Sequence, residues 1–298
     1  MKKTIVAVIV VIAIVGAYFL VNNLLSKNTV TTSLTPSTND QNTTATTTET
    51  QNPAQSVIGK SVENRDIIAY NYGTGEKKIL FVGGIHGGYE WNTSKVAYEL
   101  INYLEANPSF VPNNIKVTVI PVLNPDGLYK IVGTTTGNFT SANVSSNTVP
   151  GRFNANNVDL NRNFDCDWQT NATWQNKTVS GGDSVFSEPE SLAIKNYIET
   201  NKPSAVVVWY SSAGGVYSSS CHNGVSPETN TLTKTYASAS GYPAYQSFDF
   251  YATTGDMVNW LAKINIPAVS VLLTNHTDTE WTKNQKGVEA LINYYFNK

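Results

Sequence analysis

His86 and Glu90, four apart in the stretch GGIHGGYEWNT (83–93), are an imidazole and a carboxylate that can reach one metal ion together. Zinc accepts both ligand types, although this spacing alone does not specify a metal site. A second constellation, VDLNRNF (158–164), sets Asn161 and Arg162 side by side on a segment that reads as strand-like. A guanidinium fork takes a carboxylate through two parallel hydrogen bonds, and the neighbouring amide can hold a further oxygen. The simpler reading of Arg162 is an ion pair with Asp159 or Asp165. Arg152, a little upstream, offers a second positive group suited to a developing oxyanion.

The elements that must position these groups alternate between strand and helix. Residues 78–82 form a short apolar run bounded by glycine, which reads as a buried strand ending just before His86. Residues 92–105 place Val96, Leu100 and Leu104 on one helical stripe. Residues 115–122 read as a strand, closed by a turn at Asn124-Pro125-Asp126-Gly127, and 128–157 as a glycine- and asparagine-rich loop. Ser187 reads as the N-cap of a helix with Pro189 in its first turn. Residues 205–209 and 268–273 are apolar strands. Met257, Trp260, Leu261 and Ile264 mark a short helix, and Val288, Leu291, Ile292, Tyr295 and Phe296 a final one. This alternation predicts a single-domain α/β/α sandwich with a mixed, mostly parallel sheet. Sites in such folds lie at the C-terminal ends of strands, where His86, Asn124, Tyr210 and Leu273 fall.

Composition narrows the function. In 298 residues the net charge is −2, and basic residues are scattered, so no stripe exists to displace counterions from nucleic-acid phosphates. At the N-terminus, Lys2 and Lys3 precede an uncharged apolar stretch over residues 4–21. As a helix it would span roughly 27 Å, about the thickness of a bilayer core. Residues 1–26 are therefore expected to be a single-pass transmembrane anchor, with the rest of the chain on the extracytoplasmic side. A cleaved signal, leaving a secreted protein, is the alternative. Residues 27–56 are rich in Thr, Ser and Asn, and are expected to be a disordered linker. Residues 57–298 are expected to be the folded domain. Its two cysteines, Cys166 and Cys221, read either as a bridge in an oxidising compartment or as two buried thiols.

Taken in order, GGIHGGYE, NPDG, RFNANNVDLNRNF, FSEPES, YATTGDMVNW and IPAVSV resemble the zinc carboxypeptidase family, the carboxypeptidase A-like metallopeptidases, across essentially all of 57–298. The resemblance implies that His86 and Glu90 match the first two ligands of one zinc ion. Arg152 then matches the oxyanion-stabilising arginine, and Asn161 and Arg162 the pair that grips the substrate's terminal carboxylate. Tyr251 matches the tyrosine that closes over bound peptide, and Val258 the position that sets side-chain preference. Three departures stand out. The first two ligands are separated by three residues instead of two. Tyr210 stands where the third ligand, a histidine, belongs, and Leu272 where the glutamate general base belongs. A leucine takes no proton from water, and a tyrosine with a pKa near ~10 is a poor ligand. The remaining histidines, His222 and His276, read as solvated loop residues, and Glu280 as the opening of the last helix. The expectation is a protein that recognises the C-terminal carboxylate of peptides, cell-wall peptides included, with hydrolysis lost or much reduced. An active zinc-dependent carboxypeptidase is the alternative.

Overall fold

The computed structural model describes residues 54–298. The expected membrane span and most of the expected linker lie outside the described residues. Among the described residues, no helix is long and apolar enough to cross a membrane.

An eight-stranded mixed sheet organises the domain. In chain order its strands are β1 (Ala54–Lys60), β2 (Asp66–Tyr72), β3 (Lys77–Val82), β4 (Ile115–Ile120), β7 (Ala205–Ser211), β8 (Gly215–Ser218), β9 (Ala244–Tyr245) and β10 (Ala268–Leu273). A separate hairpin pairs β5 (Asn171–Trp174) with β6 (Lys177–Ser180). β1 takes in residues 54–56, which the sequence assigns to the linker. Across the sheet the order is β1-β2-β4-β3-β7-β10-β8-β9. The central strands β4, β3, β7 and β10 run parallel, whereas β1–β2, β2–β4 and β10–β8 pair antiparallel. β7, AVVVWYS, is buried at every position, as a parallel strand covered on both faces requires.

Helices cover both faces. On one lie α1 (Trp91–Ala106), α4 (Pro227–Ser240) and α6 (Trp281–Asn297), packed on Phe81, Val117, Val207, Trp209 and Val271. On the other lie α3 (Pro189–Asn201) and α5 (Met257–Lys263), against Leu80, Val206, Val208, Tyr210 and Leu272. α1 buries Val96, Leu100 and Leu104. Each such side chain contributes about 1.5–3 kcal/mol relative to exposure, so packing holds this helix more than propensity does.

Three local readings change. Asn124-Pro125-Asp126-Gly127 does not turn the chain away but opens a further helix, α2 (Pro125–Val132), inside the expected loop. The Asn124 Oδ1 accepts the Gly127 amide at 2.8 Å, and proline sits at the first helical position, where it needs no donor. VDLNRNF is no strand: Leu160–Arg162 is a 3-10 turn whose N-cap, Asp159, accepts the Asn161 amide at 3.1 Å. α3 is capped by Glu188, not Ser187. The Asn163 Oδ1 takes the Glu188 amide at 3.1 Å and so fixes the chain one residue later.

Candidate functional site

Beyond the C-terminal end of β3, His86 leads into a 3-10 turn over Gly87–Glu90. Gly87 has φ +45°, and a Cβ there would lie 2.6 Å from the Gly151 carbonyl oxygen, so only glycine fits. This tight turn absorbs the extra residue of the HGGYE spacing. It brings His86 Nδ1 to 3.0 Å from Glu90 Oε1, both side chains being buried. The contact is misdirected for a hydrogen bond, and neither ring nitrogen of His86 has a hydrogen-bond partner. Nε2 lies 3.4 Å from Asp159 Oδ1, again without alignment. The other Glu90 oxygen accepts the Ser211 amide at 3.1 Å.

Arg152 reaches the same corner. Its Nε and Nη2 bind Asp159 Oδ2 at 2.9 and 2.8 Å, and its Nη1 lies 3.8 Å from Glu90 Oε1. The Trp174 ring covers the guanidinium at 4.4 Å. Burial alone would raise the Asp159 carboxyl, but Arg152, with His86 and Arg162, holds it well below the usual carboxylate range.

Arg162 is 1% exposed and makes no ion pair among the described residues. Its Nε donates to the Thr173 carbonyl at 2.9 Å and its Nη1 to the Asn161 carbonyl at 2.6 Å. The alternative partners read from the sequence are taken elsewhere, Asp159 by Arg152 and Asp165 by Lys263 at 2.8 Å. The Tyr251 ring stands 5.9 Å from the Arg162 guanidinium. The two loops are strapped together: Phe164 N donates to the Gly255 carbonyl at 3.0 Å, and Gly255 N to the Cys166 carbonyl at 2.6 Å.

Asn161 behaves differently from its neighbour. Its amide nitrogen donates to Asp256 Oδ2 at 2.8 Å, while its Oδ1 accepts the Tyr210 hydroxyl at 3.2 Å and the Met257 amide at 3.0 Å. Asp256 also caps α5 through the Asn259 amide at 3.0 Å. Burial pushes the Asp256 carboxyl pKa up. Val258, in the first turn of α5, is buried and lines the cavity.

Tyr210 is the next-to-last residue of β7, with its ring 5.6 Å from that of His86. Burial, reinforced by Asp256 and Glu90, drives its pKa well above 10, so it stays a phenol. Leu272 is its register partner on β10, a buried apolar side chain in the cavity lining. The cavity, about 870 Å³, is lined by His86, Glu90, Arg152, Arg162, Tyr251 and Leu272 among others.

His222 is a solvated loop residue, paired with Asp167 at 2.9 Å. His276 is not. It is half-buried in the cavity wall, 4.8 Å ring to ring from Tyr89. Glu280 accepts the Thr274 amide at 2.7 Å and the Tyr242 hydroxyl at 2.7 Å, outside the cavity lining. The sequence reading also misses Trp174, Asp256, Ser211 and Ser212, all in the lining. Of these only Asp256 carried a signal, as an N-cap candidate before the apolar turn MVNW. Cys166 and Cys221 are bridged, with Cα atoms 6.2 Å apart.

The donor set decides what metal chemistry is available. His86 and Glu90, with two orphaned buried ring nitrogens facing carboxylates, present two corners of a cation site. A catalytic zinc takes three protein ligands and a water. The third corner here is a phenol whose hydroxyl is bonded to Asn161, and no base stands at Leu272. The residues present do not fit a catalytic zinc.

A family model described as zinc carboxypeptidase matches residues 44–290. Over 217 residues, 65% of this chain, the sequence is 27% identical to gamma-D-glutamyl-L-diamino acid endopeptidase 1 of Lysinibacillus sphaericus, covering 54% of that protein. A 120-residue stretch, 36% of the chain, is 35% identical to human carboxypeptidase D, covering 8% of it. The chain thus spans about half the length, or far less, of these curated relatives. Among solved structures, murein-tripeptide amidase MpaA from Escherichia coli O157 superposes with a TM-score of 0.56 at 21% identity, over 80% of this chain and 92% of that one. Carboxypeptidase A from Helicoverpa armigera gives 0.60 at 21% identity, over 82% and 67%. These likenesses bear on the fold.

Proposed function

Because the chain belongs to the zinc carboxypeptidase family, we propose that it holds the free carboxylate of peptides in its cavity without hydrolysing them through zinc. The observation that carries this reading is Arg162, a buried guanidinium with no ion pair among the described residues, fixed by two backbone carbonyls and facing a cavity. A buried charge with no carboxylate in direct contact is costly, and a ligand carboxylate would relieve that cost. Tyr251, beside Arg162, would close over the ligand, and Val258 would favour an apolar side chain. Asn161 is committed to Asp256, Tyr210 and Met257, so its part is to fix the turn that carries Arg162.

Tyr210 and Leu272 support the loss of hydrolysis, since general-base assistance alone is worth about 10²–10⁴ in rate. The likenesses to gamma-D-glutamyl-L-diamino acid endopeptidase 1 and to a murein-tripeptide amidase make cell-wall peptides the first ligands to try. The disulfide suits an extracytoplasmic setting, consistent with an anchor at residues 1–26.

Calorimetry with matched free-acid and C-terminally amidated peptides tests the reading, beside hydrolysis assays with zinc and with a chelator. The expected result is binding of the free acid, at least about tenfold weaker binding of the amide, and no zinc-dependent turnover. Equal affinity for both peptides removes the clamp. Chelator-sensitive turnover restores the alternative of an active carboxypeptidase.

A further inference from the structure

His276 lies in a chain of hydrogen bonds whose direction can be worked out. Asn92, fully buried, donates its amide nitrogen to the carbonyls of Asn275 at 2.7 Å and Asp278 at 2.9 Å. Its Oδ1 therefore faces Ser211 as an acceptor, and the Ser211 hydroxyl donates to it at 3.2 Å. Having spent its one proton, Ser211 Oγ accepts from His276 Nδ1 at 2.7 Å. The proton of the neutral ring is thus on Nδ1, and the lone pair is on Nε2. Nε2 stands 3.3 Å from the hydroxyl of Ser212, which is exposed and lines the same cavity.

A hydroxyl beside an imidazole nitrogen whose tautomer is fixed from behind by a third group is the arrangement of an activated nucleophile. Reach of 3.3 Å is the looser end expected before a ligand tightens the site. Burial lowers the His276 pKa, with Glu90 opposing and His86 and Arg152 reinforcing, so the ring is neutral near pH 7. Arg152, on the same lining, has its Nη1 3.8 Å from Glu90 Oε1.

We propose that Ser212 and His276 form a metal-independent acyl-transfer site that cleaves acyl esters. Ser212 Oγ bonds to the ester carbonyl carbon as its proton passes to His276 Nε2. The tetrahedral intermediate collapses, the bond to the alkoxy oxygen breaks, and that oxygen leaves as an alcohol with the proton from Nε2. Water then adds to the acyl-serine, giving its proton to Nε2, and Ser212 departs with that proton as the free carboxylic acid forms. Asn92 and Ser211 are positioning residues, since they hold the ring without touching the acyl group.

A fluorophosphonate probe on the full chain tests this, with intact mass and peptide mapping as readout. One adduct on Ser212 is expected, formed equally with and without chelator. Ser212→Ala should abolish it, and His276→Gln should slow it by at least about 100-fold. Ser212 is exposed, so its alanine variant tests the proposal even if His276→Gln fails to fold. A p-nitrophenyl ester should give a burst of one equivalent in the parent and none in Ser212→Ala. No adduct on the folded parent, an adduct at another residue, or unchanged labelling of Ser212→Ala overturns the proposal. None of these outcomes touches free-acid peptide binding, which is measured separately.

Discussion

Two backbone carbonyls and an aromatic ring hold Arg162 in one orientation, so little side-chain entropy is left to lose when a carboxylate arrives. Charge-assisted hydrogen bonds of this kind contribute about 1.5–3 kcal/mol. Arg162→Ala should therefore weaken free-acid peptide binding by about 10- to 100-fold in calorimetry and leave amidated peptides unaffected. Arg162→Lys should recover only part, because an ammonium lacks the planar fork. The third-ligand position gives a second outcome. Tyr210→His with Leu272→Glu should copurify with about one zinc per chain by elemental analysis, joining His86 and Glu90, while the parent retains none after dialysis. Residue types and order were enough to pick out His86, Glu90, Arg152 and Arg162, which the fold brings to one cavity, although HGGYE alone does not specify a metal site. The role of His276 was not legible, because it depends on Ser211, 65 positions away, and on Asn92, which fixes Ser211.

At the scale of elements, the apolar strands were readable because burial on both faces leaves no room for polar residues, as in AVVVWYS. Turns and helix starts were not separable, since Asn, Pro and Asp serve both. Only the Asn124-to-Gly127 hydrogen bond reveals that NPDG begins α2. Asn124→Ala should cost about 1 kcal/mol in urea unfolding, the usual value of an N-cap. The 3-10 turn at Leu160–Arg162 was unreadable for a related reason. It is set by Asp159 and by contact with Gly255, and not by periodicity. A Cβ at Gly255, which has φ +66°, would lie 2.2 Å from the Arg162 carbonyl oxygen. Gly255→Ala should therefore displace the Arg162 turn and reduce peptide affinity with little change in far-UV circular dichroism.

For the whole molecule, acid should be the sensitive direction. Burial would raise the Glu280 carboxyl, but Lys283, Thr274 and Tyr242 outweigh it and bring it down from 4.5 to about 2. A folded-state pKa below the unfolded one contributes stability that is complete above about 4.5 and lost as pH falls through about 2. Asp159, also lowered, acts in the same sense, while Asp256, raised, acts in the opposite one. Urea midpoints measured from pH 5 down to about pH 2 should fall across this window, and Glu280→Gln should flatten part of the decline. The architecture as a whole was legible because alternating strands and helices admit few arrangements. The cross-connection of distant loops around the cavity was not. That cross-connection bears on how the site tolerates substitution. The Tyr210–Asn161–Asp256 chain couples position 210 to the loop that carries Arg162. Tyr210→His alone removes a donor from Asn161 and gains no base, while Leu272→Glu alone buries a carboxylate with no metal-bound water to act on. Each single change is thus expected to cost stability by itself, so the double variant should unfold at a higher urea concentration than the sum of the two single effects gives.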